Sequence, residues 1–533
     1  MAKVTKRGSG TRTAKARKTS KAGVPRRLRR DRPEVVLQKL KDRLGEISDL
    51  SSAAAVLGWD QATFMPKGGA KARGAQLSTL SRLAHERFVD SEIGALLEQL
   101  EPHAMALPYA SDDASLVRVV RRDYERARRV PSVLVADLAT QANAAYVAWT
   151  AARPANDFAA VEGLLEEGVR LGRRLADALG PYDHVMDPLI DGAEPGMKTA
   201  TIRALFADLR AELVPMVSAA AQSAPVDCSC LKFRFPEAKQ LAFGLKMAER
   251  FGFDLTRGRQ DKSPHPFMTM FSLGDVRITT RVSENDLSEA LYSTLHEAGH
   301  AMYEQGVSPS LERTPLAGGC SAGLHESQSR LWENMVGRGA PFLTFAYPLL
   351  QRQFPEQLKR VPLGTFSKAI NRVAPSLIRT DADELTYNLH VMIRFELECE
   401  LLEGSLKVKD LPQAWADAYE RDLGVRPAGH SDGCLQDVHW FSGAVGGAFQ
   451  SYTIGNILAA QFYAAALEAH PKIPDEIADG RFATLHGWLR DHVYVHGRKY
   501  LPHELVTSAT GQPMTIAPYV SYLRAKYKAL DVI

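Results

Sequence analysis

The chain has 533 residues, 45% hydrophobic and 24% charged, which excludes a fibrous or wholly disordered protein and leaves ample apolar material for a core. The formal charge is +4, yet residues 1–32 hold 13 Lys and Arg against the single acid Asp31, so the remainder carries −8. No stretch of 18 apolar residues could span a membrane and no apolar signal core stands near Met1; with five cysteines, an odd number, the expected setting is the cytoplasm with reduced thiols.

Residues 1–33, with AKARKTSKAG and PRRLRRDR, offer almost nothing apolar to pack and are expected to be a disordered basic tail. That tail is the only route by which nucleic acid would be a partner. From residue 34 apolar residues recur at helical spacing, first in VVLQKLKDRLGEISDLSSAAAVLGWD, then after a turn at MPKGG through AKARGAQLSTLSRLAHERFVDSEIGALLEQL. Further helical patterns fill 113–152, 158–180, 197–221 and 236–251, and more helices follow residue 410 around the Gly-rich SDGCLQDVHWFSGAVGG. Cys228 and Cys230 form a lone C-x-C with no second pair at zinc-knuckle spacing, so they read as plain thiols. The expectation is a single mainly α-helical domain over 34–533.

DVRITTRV (275–282) breaks the pattern. Val276, Ile278, Thr280 and Val282 alternate with Arg277, Thr279 and Arg281, as on a half-buried strand. The polar set could hold a substrate backbone or simply face solvent.

A bounded helix follows. Ser283 and Asp286 resemble a capping box, and Gly306 offers a stop. Leu287, Leu291, Leu295, Ala298 and Met302 form one stripe, while His296 and His300 lie on the other side, about 40° apart. Their spacing lets two imidazoles reach one ion, and Glu297 between them is placed to serve its water as general base. A third ligand is needed. No histidine extends the motif; beyond LAGGCSAG a second helix, LHESQSRLWENMVGR, offers Glu326 with His325 as its rival. Arg330 and Glu333 share the face of Glu326, so spacing alone leaves open a surface ladder of charges.

On these residues the chain resembles the carboxypeptidase Taq family of HExxH metallocarboxypeptidases. LGWDQATFMPKGG resembles the family's N-terminal helices, HPF and DVRITTR its substrate-side strand and D-x-R-x-T motif, and HEAGH with HESQ its metal motifs. IRTDADELTYNLH, GCLQDVHW, SYTIGNILAAQ and HGRKYLPHELVTSATG continue the likeness, so it covers roughly residues 35–530. The resemblance implies His296, His300 and Glu326 as ligands of one divalent ion per subunit, zinc by default with cobalt or manganese as substitutes, and Glu297 as base and proton shuttle. It further implies Arg379 near the peptide's C-terminal end, His439 and Gln436 beside it, His265 and Arg277 on the substrate side, and Tyr452 as donor to the oxyanion. The ion-pair alternative for Arg379 is Asp383, four residues on. Where the family often has Tyr and Pro before the tyrosine, this chain has Ala448 and Gln450.

The family also implies a deep groove in a mostly helical body with a small sheet, and a homodimer. The expected activity is removal of single residues from peptides with a free C-terminus. Two alternatives carry different tests. A helical HExxH oligoendopeptidase would share the metal residues but need no terminal carboxylate, and a nucleic-acid-binding protein would work through the tail.

Overall fold

A computed structural model describes residues 32–533, so the expected basic tail lies outside the described residues apart from its last two positions. Helices dominate from Pro33 onward, with one three-stranded sheet. The first helix runs Pro33–Thr63. The long helical run expected over 70–100 is two helices, Ala70–Phe88 and Ser91–Ala106, because Asp90 breaks the chain and its side chain accepts from Glu92 N. Likewise 113–152 divides into Asp112–Arg129, capped by Ser111, and Ser132–Ala155, with Pro131 at the break.

Most buried side chains from Ala145 to Val532 form one continuous core. A smaller cluster joins Leu40, Leu44, Leu97 and Val120 of the N-terminal helices to Leu273, Val307 and Leu311. Among the described residues no helix is long and apolar enough to cross a membrane.

The sheet is β1 (Gln260–Lys262), β2 (Met268–Ser272) and β3 (Asp275–Thr280), with β3 central, parallel to β1 and antiparallel to β2. Strand β3 ends two residues earlier than its alternation predicts. Val276 and Ile278 are fully buried, as expected, but so is Thr279, whose hydroxyl accepts from Phe267 N at 2.9 Å and from Ser263 Oγ at 2.7 Å. The supposed polar face is therefore partly internal.

Behind β3 packs the histidine helix, Leu287–Gly306, with Leu287, Leu291, Leu295, Ala298 and Met302 all buried. Its cap differs from the expected box: Asp286 is itself the N-cap, accepting from Ser288 N at 2.9 Å. The helix does end at Gly306, but the glycine is not a left-handed cap; it is needed for space, since a β-carbon there would lie 2.6 Å from the Tyr494 ring.

A candidate metal centre between three helices

The histidine helix crosses the glutamate helix, Ala322–Arg330, whose first turn is capped by Ser321 accepting from Leu324 N. The crossing is a backbone contact at Gly299, where a β-carbon would lie 2.5 Å from Gln328 O. On the far side of the glutamate helix runs the tyrosine helix, Gln450–Ala469, and a β-carbon on its Gly455 would lie 2.5 Å from Glu326 Cγ. Two glycines thus let three backbones close around one carboxylate. Tyr452, three residues before Gly455, shares its face of the tyrosine helix.

His296, His300 and Glu326 converge there, with one ligand atom from each within 4.8 Å of the others. Glu326 Oε2 lies 3.7 Å from His296 Nε2 and 3.4 Å from His300 Nε2. Two imidazole nitrogens and a carboxylate oxygen are a donor set for a divalent ion with an open position, and their mutual spacing fits one. His325, the rival, turns away: its Nδ1 meets His300 Nδ1 at 2.6 Å and its Nε2 meets Glu304 Oε1 at 2.7 Å.

The other oxygen of Glu326, Oε1, accepts from Arg330 Nε at 2.6 Å, and Ser329 Oγ donates to Oε2 at 3.2 Å. Glu333 Oε2 stands 2.9 Å from His296 Nδ1, and Arg330 and Arg338 hold that carboxylate from two sides. Burial opposes ionisation of Glu326 and Glu333, but the arginines and imidazoles outweigh it and keep both well below the usual carboxylate range. His296, resisted by burial but drawn by Glu326 and Glu333, is raised. His300 is held down to about 3 by burial and the adjoining His325 ring. Glu297 is 6% exposed, and burial pushes it up to about 7. The segment carrying Glu333, Leu331–Val336, is a π-helical turn continuing the glutamate helix, a rare widening that is frequent at functional sites.

A second polar cluster adjoins the tyrosine helix. Asp437 accepts from Arg379 Nε at 2.6 Å and Arg394 Nε at 3.0 Å, and its Oδ1 meets His439 Nδ1 at 2.5 Å. His439 Nε2 lies 3.2 Å from the Tyr452 hydroxyl. Burial and Tyr387 push that phenol up to about 12. Arg379 is 7% exposed and also donates from Nη2 to Asp437 Oδ1 at 3.4 Å and from Nη1 to Tyr387 OH at 3.1 Å, leaving two of its five N–H groups unspent. Its ion pair is with Asp437; Asp383 instead accepts from the backbone of Ala374, Leu385 and Thr386.

Gln436, expected against the peptide, spends its whole amide on the protein. Its oxygen accepts from Arg379 N and Arg394 Nη2, and its nitrogen donates to Leu377 O and Asp432 O. It braces the arginines. The His265 ring is held below its usual pKa by burial and by the positive fields of Arg281, Arg379, His439 and His296. Arg277 is paired in two places with Asp275 and lies 4.4 Å from the Trp59 ring centre and 4.9 Å from that of Phe271, which ties the D-x-R-x-T strand to the first helix.

Sequence reasoning missed Asp437, although it sits inside QDVHW, and missed Glu304. It left a surface ladder open for Arg330 and Glu333; Glu333 is buried and Arg330 half-buried, with its guanidinium 4.6 Å from the Tyr387 ring centre.

Three comparisons show what the whole chain is similar to. The model of the carboxypeptidase Taq (M32) metallopeptidase family matches residues 39–527. Thermostable carboxypeptidase 1 of Thermus thermophilus is 39% identical over 508 residues, covering 93% of this chain and 99% of that protein, and carboxypeptidase 1 of Bacillus subtilis is 35% identical over 493 residues, covering 92% and 98%. The crystal structure of an M32 carboxypeptidase from Deinococcus radiodurans R1 superposes with a TM-score of 0.91 at 47% identity, covering 94% of this chain and all of that one.

Proposed function

The chain belongs to the carboxypeptidase Taq (M32) metallopeptidase family and is a metal-dependent carboxypeptidase, and from that premise we propose how its own residues divide the work. His296, His300 and Glu326 hold the ion, zinc in the working enzyme, one per subunit. When bound, a divalent ion supplies Lewis acidity and lowers the pKa of its water to about 7. Glu297 takes the proton of the attacking water and delivers it to the departing amine, a task suited to a carboxyl raised to about 7.

Tyr452 stays protonated and donates to the carbonyl oxygen as it gains charge, a contact worth about 3 kcal/mol in such sites. His439, its Nδ1 held by Asp437, keeps Nε2 beside the phenol and places it, and the hydroxyl swings its one hydrogen from that nitrogen to the substrate oxygen as charge develops there. Arg379 turns its two unspent N–H groups to the terminal carboxylate of the peptide. Gln436 and Asp437 keep that guanidinium in place, and His265 and Arg277 flank the peptide on the strand side.

The observation that supports this division is the pairing of an imidazole-imidazole-carboxylate cluster with a nearby, incompletely satisfied buried arginine. The test is mass spectrometry of one peptide supplied with a free or an amidated C-terminus, with a chelated control. Stepwise loss of single residues from the free acid only is expected. Internal cleavage of both peptides would sink the role of Arg379 and favour the oligoendopeptidase mode.

The five free thiols fit a reducing cytoplasm. The homodimer implied by the family resemblance is checked by light scattering, and salt-dependent binding lost on removing residues 1–32 would assign nucleic-acid binding to the tail.

A further inference from the structure

A histidine that ligates through Nε2 must carry its hydrogen on Nδ1, and what Nδ1 touches decides whether it does. For His296 the partner is the carboxylate of Glu333, an acceptor only. For His300 the partner is a second imidazole, which could either donate or accept.

The partner on the far side of His325 decides between the two. His325 Nε2 lies 2.7 Å from Glu304 Oε1, so that nitrogen carries a hydrogen and donates it. In the neutral ring Nδ1 is then bare, and the 2.6 Å contact is an N–H of His300 Nδ1 donated to it. His300 keeps its lone pair at Nε2, facing Glu326 Oε2 at 3.4 Å. The surroundings fix this arrangement. His325 stacks between His300 and Tyr303 with ring centres at 4.5 and 5.4 Å, and Tyr303 stacks in turn on Tyr494 at 5.1 Å. A β-carbon on Gly319 would lie 2.6 Å from His325 Cδ2, so the LAGGCS turn is moulded to the ring. Glu304, 5% exposed, is held by Gly319 N at 3.2 Å.

We infer that His325 and Glu304 are positioning residues that set the tautomer and ring orientation of His300 toward a divalent metal ion. The inference rests on the ligand set proposed above. His325 thus serves the metal from behind another histidine.

The experiment uses full-length protein stripped by a chelator, with zinc affinity read by competition against a chromophoric chelator and coordination read from the visible spectrum of the cobalt form. Apo-protein unfolding is followed alongside. His325→Phe keeps the stack and loses the nitrogens; His325→Asn loses the stack but keeps a polar atom near Nδ1. A positioning role predicts zinc binding weakened roughly 10- to 100-fold by the Phe variant, with a changed cobalt spectrum, and substantial recovery in the Asn variant. A packing role predicts the reverse order, and that order, or parental affinity in the Phe variant, overturns the inference. Should the Phe variant not fold, Glu304→Gln decides: a several-fold loss supports the relay, and parental affinity and spectrum reject it. Glu326→Ala serves as control, because parental zinc binding in that variant would show that the ligand set is wrong, whatever His325 does.

Discussion

Gly299 and Gln328 touch through their backbones: a β-carbon on the glycine would lie 2.5 Å from the Gln328 carbonyl oxygen. That contact brings the helix bearing both histidines against the helix bearing Glu326. Gly299→Ala is expected to force the helices apart, lowering stability by about 2 kcal/mol and weakening metal retention. Thermal unfolding with and without chelator, together with metal content after dialysis, measures both.

Glu297 touches no proposed ligand atom in a way that the fold depends on. Glu297→Gln is expected to lower kcat by roughly 10²- to 10⁴-fold while the metal stays bound at parental stoichiometry. Loss of metal along with activity would instead make Glu297 part of the binding set. Elemental analysis beside steady-state kinetics distinguishes the two.

Arg379→Met leaves Asp437 still paired with Arg394 and His439, so the variant should fold. Losing a charge-assisted contact of about 2 kcal/mol corresponds to a fall of roughly 30-fold in kcat/KM for free-acid peptides. Selectivity for the free acid over the amide should collapse with it. A variant that keeps that selectivity would move carboxylate recognition elsewhere.

Removing the ion should loosen the junction of the two ligand-bearing helices. Metal at a hundred times its Kd stabilises the native state by about 2.7 kcal/mol. The unfolding temperature should therefore climb with added zinc in the parent and stay flat in Glu326→Ala. A zinc response that survives in that variant would place the stabilising ion at another site.

Glu398 gives the pH dependence. It is 1% exposed, accepts from Trp440 Nε1 at 2.8 Å, and burial raises its carboxyl to about 8. An unfolded glutamate ionises near its ordinary value of 4.5, so between about 4.5 and 8 the folded chain holds a proton that the unfolded chain has released. This group's contribution to stability therefore falls as pH rises through that window, by an amount on the order of a few kcal/mol. Glu398→Gln removes the slope, so denaturant unfolding at pH 5 and pH 8 should show the variant gaining on the parent as pH rises. Parallel profiles would reject it.

The histidine helix was legible because its two sides differ in kind: an unbroken apolar stripe behind, two imidazoles and a glutamate in front. Strand β3 was legible by its alternation, yet Thr279 was misplaced because a threonine can satisfy its hydroxyl internally as well as in water. Glu326 was visible only as one of two adjacent candidates. What separates it from His325 is which way each side chain leaves the second helix, and that depends on how Gly299 and Gly455 let the neighbours approach. Asp437 was harder still, since its three partners come from 379, 394 and 439, and only the folded chain brings the first two to it. Arg330 and Glu333 left the surface-ladder alternative open, because charges three residues apart look like a solvated face until something covers them.

The widened turn at Leu331–Val336 turns segment length into a functional variable. Glu326 must face the imidazoles, Glu333 must reach His296, and Arg338 must return to Glu333 while lying 3.7 Å from the Tyr292 ring centre. Deleting one residue inside this segment would rotate everything after it by about 100° relative to everything before it. Every residue from Glu326 to Arg338 is buried or half-buried, so an insertion or deletion there has no solvent-facing position to absorb it and would separate the ion's carboxylate from the groups that hold its histidine.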